Sequence, residues 1–179
     1  MSRVRKPPFI TRAGLFFLCV LILIPANGCN LRLTEPSPLA TPDVFTSGGL
    51  GLSRAQWGKK HKETSTDGIC VEFDNGEYAV TFIDGRAEHI ERTFAGDKLT
   101  LDDARRHGKD LFPFDAQFVE TYSPEALPEL TVDLYMSDSL KERFDSDWFT
   151  GGEPGNFIAI YGVFDGRVPS VIIATGNNP

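Results

Sequence analysis

Cysteine, histidine and tryptophan are scarce in this 179-residue chain, at three, three and two copies. Cys19, Cys29 and Cys70 are too far apart to form a zinc-ligand spacing. His61, His89 and His107 build no H-E-x-x-H, and neither G-x-S-x-G nor a phosphate loop occurs. Long hydrophobic runs are missing too. The apolar stretch from Leu15 to Ile24 covers about 15 Å as a helix, half of a ~30 Å hydrocarbon core. Acidic residues are absent before Cys29. These gaps exclude the common zinc, hydrolase and nucleotide signatures and argue against a spanning helix. The expectation is a non-catalytic chain with no cofactor and no metal.

What stands before Cys29 is an address. Arg3, Arg5, Lys6 and Arg12 precede the apolar run, and Pro25 with Ala26-Asn27-Gly28 follows it. A basic segment, a short apolar core and a small-residue cleavage site make a secretory signal. The step from Gly28 to Cys29 resembles the lipobox of bacterial lipoproteins. That resemblance implies a diacylglycerol on the Cys29 thiol and a further acyl chain on its freed amine, enough for stable anchoring. Ala26 and Gly28 also suit ordinary signal peptidase, which would release a soluble chain starting at Cys29. If Cys29 is lipidated, Cys70 has no intramolecular partner and a buried strand position suits it. If it is not, a Cys29–Cys70 disulfide becomes available in an oxidising compartment.

Processing changes the charge. The signal removes four of 18 basic residues and none of 25 acidic ones, so the mature chain carries −11. Such a balance argues against nucleic acid and against lying on an anionic membrane. The membrane is reached through the lipid anchor only. The expected location is the cell envelope, and the expected partner another envelope or extracellular protein.

Residues 30–47 hold Pro36, Pro38 and Pro42 among Ser and Thr. They read as a tether reaching roughly 55 Å if polyproline-like and about 25 Å as a coil. The expected division is a signal at 1–28, lipidated cysteine and tether at 29–47, a first helix-plus-hairpin half at 48–96 and a second helix-plus-sheet half at 97–179.

Ser53 with Gln56, Thr100 with Asp103 and Ser139 with Glu142 form three capping signatures. They predict a helix from Arg54 to about His61, one through "LDDARRHGKDLF" and a short one in "SLKERF". Asn75-Gly76 predicts a hairpin that sets Phe73 opposite Tyr78 and Val71 opposite Val80. At "IDGR", a two-residue loop would bring Ala87 and His89 onto the Phe82 face, and a three-residue loop Ile90 and Phe94. The apolar pair belongs inside, so the three-residue loop is expected. "AQFVETY" and "LTVDLYM" read as strands, and "FDGR" near the C-terminus echoes "IDGR". The fold class is α+β: an antiparallel sheet of about seven strands with two main helices packed on it, with room for two fused helix-plus-sheet halves.

This order of lipobox, tether, "G-L-S-x-x-Q" helix and strand meander resembles the small outer-membrane-assembly lipoproteins of the SmpA/OmlA type. Its doubled form is similar to the β-lactamase-inhibitor-protein fold. The resemblance covers roughly residues 50–175 and implies a non-catalytic, protein-facing module.

Candidate sites are few. His61 and His107 fall near helix C-termini, where a partly positive ring suits the dipole, and His89 points away from the core. "DSDWFTGGE" begins like a calcium loop, but Phe149 and Thr150 stand where an oxygen ligand and the glycine belong. In that glycine-rich stretch Trp148 and Phe149 are candidate partner anchors, or they fold back over the end of the core. "FPF" at 112–114 has the same two readings. The function expected is a secreted, lipid-anchored binding module, with a small-ligand carrier as the alternative. An enclosed apolar pocket would favour the carrier, and a filled core with an exposed aromatic patch the protein binder.

Overall fold

The computed structural model describes residues 45–94, 96 and 98–179. The expected signal segment, Cys29 and most of the expected tether lie outside the described residues. The last tether residues belong to the fold: Ser47 is buried and bridges to Pro113, and the Phe114 N–H donates to the Thr46 carbonyl at 3.0 Å.

Among the described residues eight strands form one antiparallel sheet. They are β1 (Glu63–Asp67), β2 (Cys70–Phe73), β3 (Tyr78–Ile83), β4 (Arg86–Thr93), β5 (Gln117–Tyr122), β6 (Leu130–Met136), β7 (Asn156–Gly162) and β8 (Ser170–Thr175). Their order is β1-β2-β3-β4-β8-β7-β6-β5, which leaves β1 and β5 as edges. The described helices are α1 (Arg54–Trp57), α2 (Leu101–Lys109) and α3 (Asp138–Lys141). The expected pair of main helices on about seven strands is therefore wrong. One continuous eight-stranded sheet dominates, and only α2 exceeds four residues.

Local chemistry explains the short helices. Ser53 and Gln56 make both bonds of the expected capping box, yet regular helix stops at Trp57. Beyond it His61 is drawn to the β2–β3 turn, its Nδ1 lying 2.6 Å from Asp74 Oδ2. The cap of α3 is Ser137 rather than Ser139, because Ser137 Oγ accepts from the Leu140 N–H while Ser139 turns both its N–H and its hydroxyl to Asp115. Thr100 caps α2 as expected, accepting from the Asp103 N–H. The extra strand, β1, consists of five exposed polar residues and carries no apolar alternation to announce it.

The turns fix the register. Phe73 pairs with Tyr78 and Val71 with Val80, as the Asn75-Gly76 signal requires. At "IDGR" Ile83 pairs with Arg86 across two residues, Asp84 (φ 48) and Gly85 (φ 74), so the three-residue loop is wrong. A register shift at Thr81/Phe82 then sets Phe82 opposite Ala87 but Val80 opposite Ile90. The extra residue on β4 lets both Ala87 and Ile90 turn inward. At "FDGR" Phe164 bridges Arg167 in the same way, around Asp165 (φ 51) and Gly166 (φ 70).

One face of the sheet carries the main core. Val71, Phe73, Val80, Ile90, Phe157, Tyr161, Val171 and Ile173 from the strands meet Leu50, Trp57, Ala104, Leu111 and Leu140 from the covering segments. Fully burying one such ring contributes ~1.5–3 kcal/mol, well above the few tenths that helix propensity offers per residue. Sheet burial, not helix formation, organises the chain. On the opposite face Val132, Leu134 and Ile158 form a smaller cluster, flanked by Tyr122 and Ile160.

Candidate functional site

The two sheet edges differ in chemistry. Along β1, Arg54 pairs with Glu63 and bonds Thr66, and Ser65 donates to Glu72. Charged and hydroxyl side chains on an edge discourage pairing with another strand. On β5, Phe118 is 58 % and Val119 51 % exposed, at a register shift between Phe118 and Glu120. Behind this edge the core comes to the surface. The Phe118 ring lies 5.6 Å from that of Tyr135, which in turn stacks on Phe157 and meets Phe112 edge-on.

The segment after α2 adds a second ring. The Gly48 N–H donates to the Phe112 carbonyl and the Leu50 N–H to that of Leu111, so residues 48–50 run alongside residues 111–112. Pro113 lies between a buried Phe112 and a Phe114 that is 77 % exposed. The two readings of "FPF" therefore divide between its two rings. Phe114 and Phe118 line one shallow cleft of about 320 Å³, with Lys109 at its rim.

Phe114 also forms a wall of a neighbouring cleft of about 480 Å³, which contains Arg86, Arg143 and Phe45. Arg143 is held from two sides. Its Nε donates to the Gly51 carbonyl at 3.2 Å, and its guanidinium carbon lies 3.9 Å over the Phe45 ring. Burial first, and then the nearby charge of Arg86, lower the Arg143 guanidinium from its ordinary value. Burial pushes the Asp115 carboxyl on the same wall upward, but bonds from Ser137 and Ser139 win and hold it below the usual range.

The sequence candidates are scattered. Phe149 is 2 % exposed and meets Phe144 edge-on, so it is part of the core. Trp148 is partly buried against the same core, and its carbonyl accepts from Thr175 Oγ1. Cys29 lies outside the described residues. Cys70 is half-buried on β2 and forms no disulfide among the described residues. His61 sits between the rings of Trp57 and Tyr78 and bonds Asp74, a structural role that replaces the expected helix-end one. His107 packs against Phe94, and His89 is half-buried on β4. Among the described residues no contact joins His61, His89 and His107.

Phe118, Arg86 and Arg143 were not anticipated. "QFVETY" announces a strand, but whether a strand lies at an edge is decided by distant pairing. The arginines come from β4 and the segment after α3, 57 positions apart in the chain, so no motif could connect them. Comparisons with protein-family models, curated proteins and solved structures found no match.

Proposed function

We propose that this chain is a non-catalytic binding module of the cell envelope that takes an extended segment of another polypeptide along β5. The observation that carries the reading is the pair of exposed rings, Phe114 at 77 % and Phe118 at 58 %, beside an edge strand without a partner strand among the described residues. A strand added to β5 satisfies backbone groups that otherwise face water, and alternate side chains gain two aromatic seats. Burying one such ring contributes ~1.5–3 kcal/mol, or about a tenfold to hundredfold in affinity. The filled core also supports a protein binder over a carrier with a cavity between helices and sheet. Lys109 at the rim suits a segment with an acidic residue next to its apolar ones. The signal sequence and Cys29 support an envelope location with a lipid anchor.

The test is site-specific photo-crosslinking in the native cell. A photoreactive phenylalanine analogue replaces Phe118 in one strain and Ile69, exposed at 59 % between β1 and β2, in another. A discrete protein adduct is expected from position 118 that Phe114→Ser abolishes. Equal labelling from both positions, or none from 118, defeats the reading.

A further inference from the structure

We infer that the cleft between Phe45 and Phe114 is a carboxylate-binding site, with Arg86 and Arg143 as the groups that hold the anion. The inference goes beyond the binding of a strand on β5 and does not require it.

Size and lining come first. At about 480 Å³ the cleft falls within the ~300–1,000 Å³ typical of small-ligand sites. Two guanidiniums share it, and neither forms an ion pair among the described residues. The bond from Nε to the Gly51 carbonyl and the contact of the guanidinium carbon with the Phe45 ring hold Arg143 from two sides. Its terminal nitrogens make no other hydrogen bond among the described residues. A planar fork held in this way matches the two oxygens of a carboxylate, and most of its ordering is complete before the ligand arrives. Two neighbouring cations repel, and an anion between them removes that repulsion.

The acidic groups of the cleft decide which anion. Asp115 is already engaged by the Ser137 hydroxyl at 2.7 Å, the Ser139 N–H at 2.8 Å and the Ser139 hydroxyl at 2.7 Å. Asp138 and Glu142 are exposed at the rim. Three carboxylates against two guanidiniums penalise a dianion such as phosphate. They penalise a single carboxylate less, and favour one with an ammonium group nearby. Phe45 and Phe114 offer apolar walls on which an aromatic or aliphatic body can lie.

A carboxylate of this kind can come from a free organic acid or from an acidic side chain of a peptide. The test titrates the full mature chain with 3-phenylpropionate, with the end-blocked peptide acetyl-Phe-Glu-Lys-amide and with inorganic phosphate, following the Arg143 Nε–H resonance. Saturable shifts are expected from at least one carboxylate probe, and the tighter of the two identifies the source. Arg86→Gln should weaken that binding about tenfold or more and leave the melting temperature unchanged, since the Arg86 side chain makes no ion pair among the described residues. Three results overturn the inference: no saturable shift from either carboxylate, phosphate binding as tightly as they do, or Arg86→Gln without effect on affinity.

Discussion

Arg105 on α2 grips Asp133 on β6 with two parallel bonds, Nε to Oδ2 at 2.8 Å and Nη2 to Oδ1 at 2.7 Å. Thr121 on β5 adds a third contact, donating to Asp133 Oδ1 at 2.6 Å. The pair ties α2, the longest helix among the described residues, to both strands at the β5 edge. Gly108 sets how closely α2 can approach, since a Cβ there would stand 3.1 Å from the Tyr161 hydroxyl.

The two halves of this pair are unequal, which gives the first prediction. The Asp133 side chain is 2 % exposed and that of Arg105 29 %. Arg105→Met strands a buried carboxylate with little besides Thr121, so a loss of about 3–5 kcal/mol is expected. Asp133→Leu leaves a guanidinium that can still reach water, and the loss should be smaller. Urea unfolding of the two variants measures the difference. Equal and small losses would mean that α2 does not depend on the pair.

Acid should loosen the turns before the core. The bond from His61 first, and then the Lys62 N–H, hold the Asp74 carboxyl below its ordinary value. Asp115 is likewise lowered, despite its burial, by Ser137 and Ser139. A carboxyl lowered in the folded state contributes stability that is present above its unfolded value and lost as pH falls through the folded one. Stability should therefore hold at neutral pH and decline below about pH 4. Asp74→Asn and Asp115→Asn should each flatten that decline when melting temperature is followed against pH. An unchanged slope in both would remove these two carboxyls as its cause.

Much of the sheet was legible because turn chemistry is local. Asn75-Gly76, Asp84-Gly85 and Asp165-Gly166 mark three hairpin turns, and alternation through Val71, Phe73, Tyr78 and Val80 sets the inward face. The residue that shifts the β3–β4 register was not legible. Both loop lengths at "IDGR" treat β4 as regular, whereas the bulge lets Ala87 and Ile90 face inward together. Helix length is not legible in the same way, because a cap specifies where a helix starts and not how far it runs. Of the site, "FPF" drew attention in sequence, but Phe118 did not. Edge position follows from β5 having β6 on one side and no described strand on the other, a relation no local pattern encodes.

The Asp-Gly turns also yield a quantitative expectation. Gly85 and Gly166 have φ of 74° and 70°, and a Cβ at either would meet no atom within 4 Å. Any cost of alanine there is backbone strain alone, about 1 kcal/mol for one left-handed residue. Gly85→Ala and Gly166→Ala should match within a few tenths of a kcal/mol in thermal unfolding. A much larger loss at one of them would mean that its turn is held by contacts and not by conformation.

The proposed lipid anchor on Cys29 has a direct chemical readout. Mass spectrometry of the mature protein from its native membrane should find Cys29 at the N-terminus, carrying two or three acyl chains. Detergent should release the protein, and Cys29→Ser should leave it soluble or unprocessed. An unmodified Cys29, or one bonded to Cys70, would return the chain to the soluble secreted class.

Exposure separates the aromatic residues that support the fold from those available to a partner. Phe149 is 2 % exposed and Phe114 77 %. Phe149→Ala deletes a ring from a closed core, and a loss of about 3–5 kcal/mol is expected. Phe114→Ser removes a ring that already faces water, so stability should move by no more than about 0.5 kcal/mol. The effects on binding should run the other way. Phe114→Ser should abolish the adduct formed from position 118, and a folded variant with a conservative change at 149, such as Phe149→Leu, should retain it. If Phe149→Leu lost the adduct at unchanged melting temperature while Phe114→Ser kept it, the partner surface would belong to the Trp148 loop and not to the β5 edge.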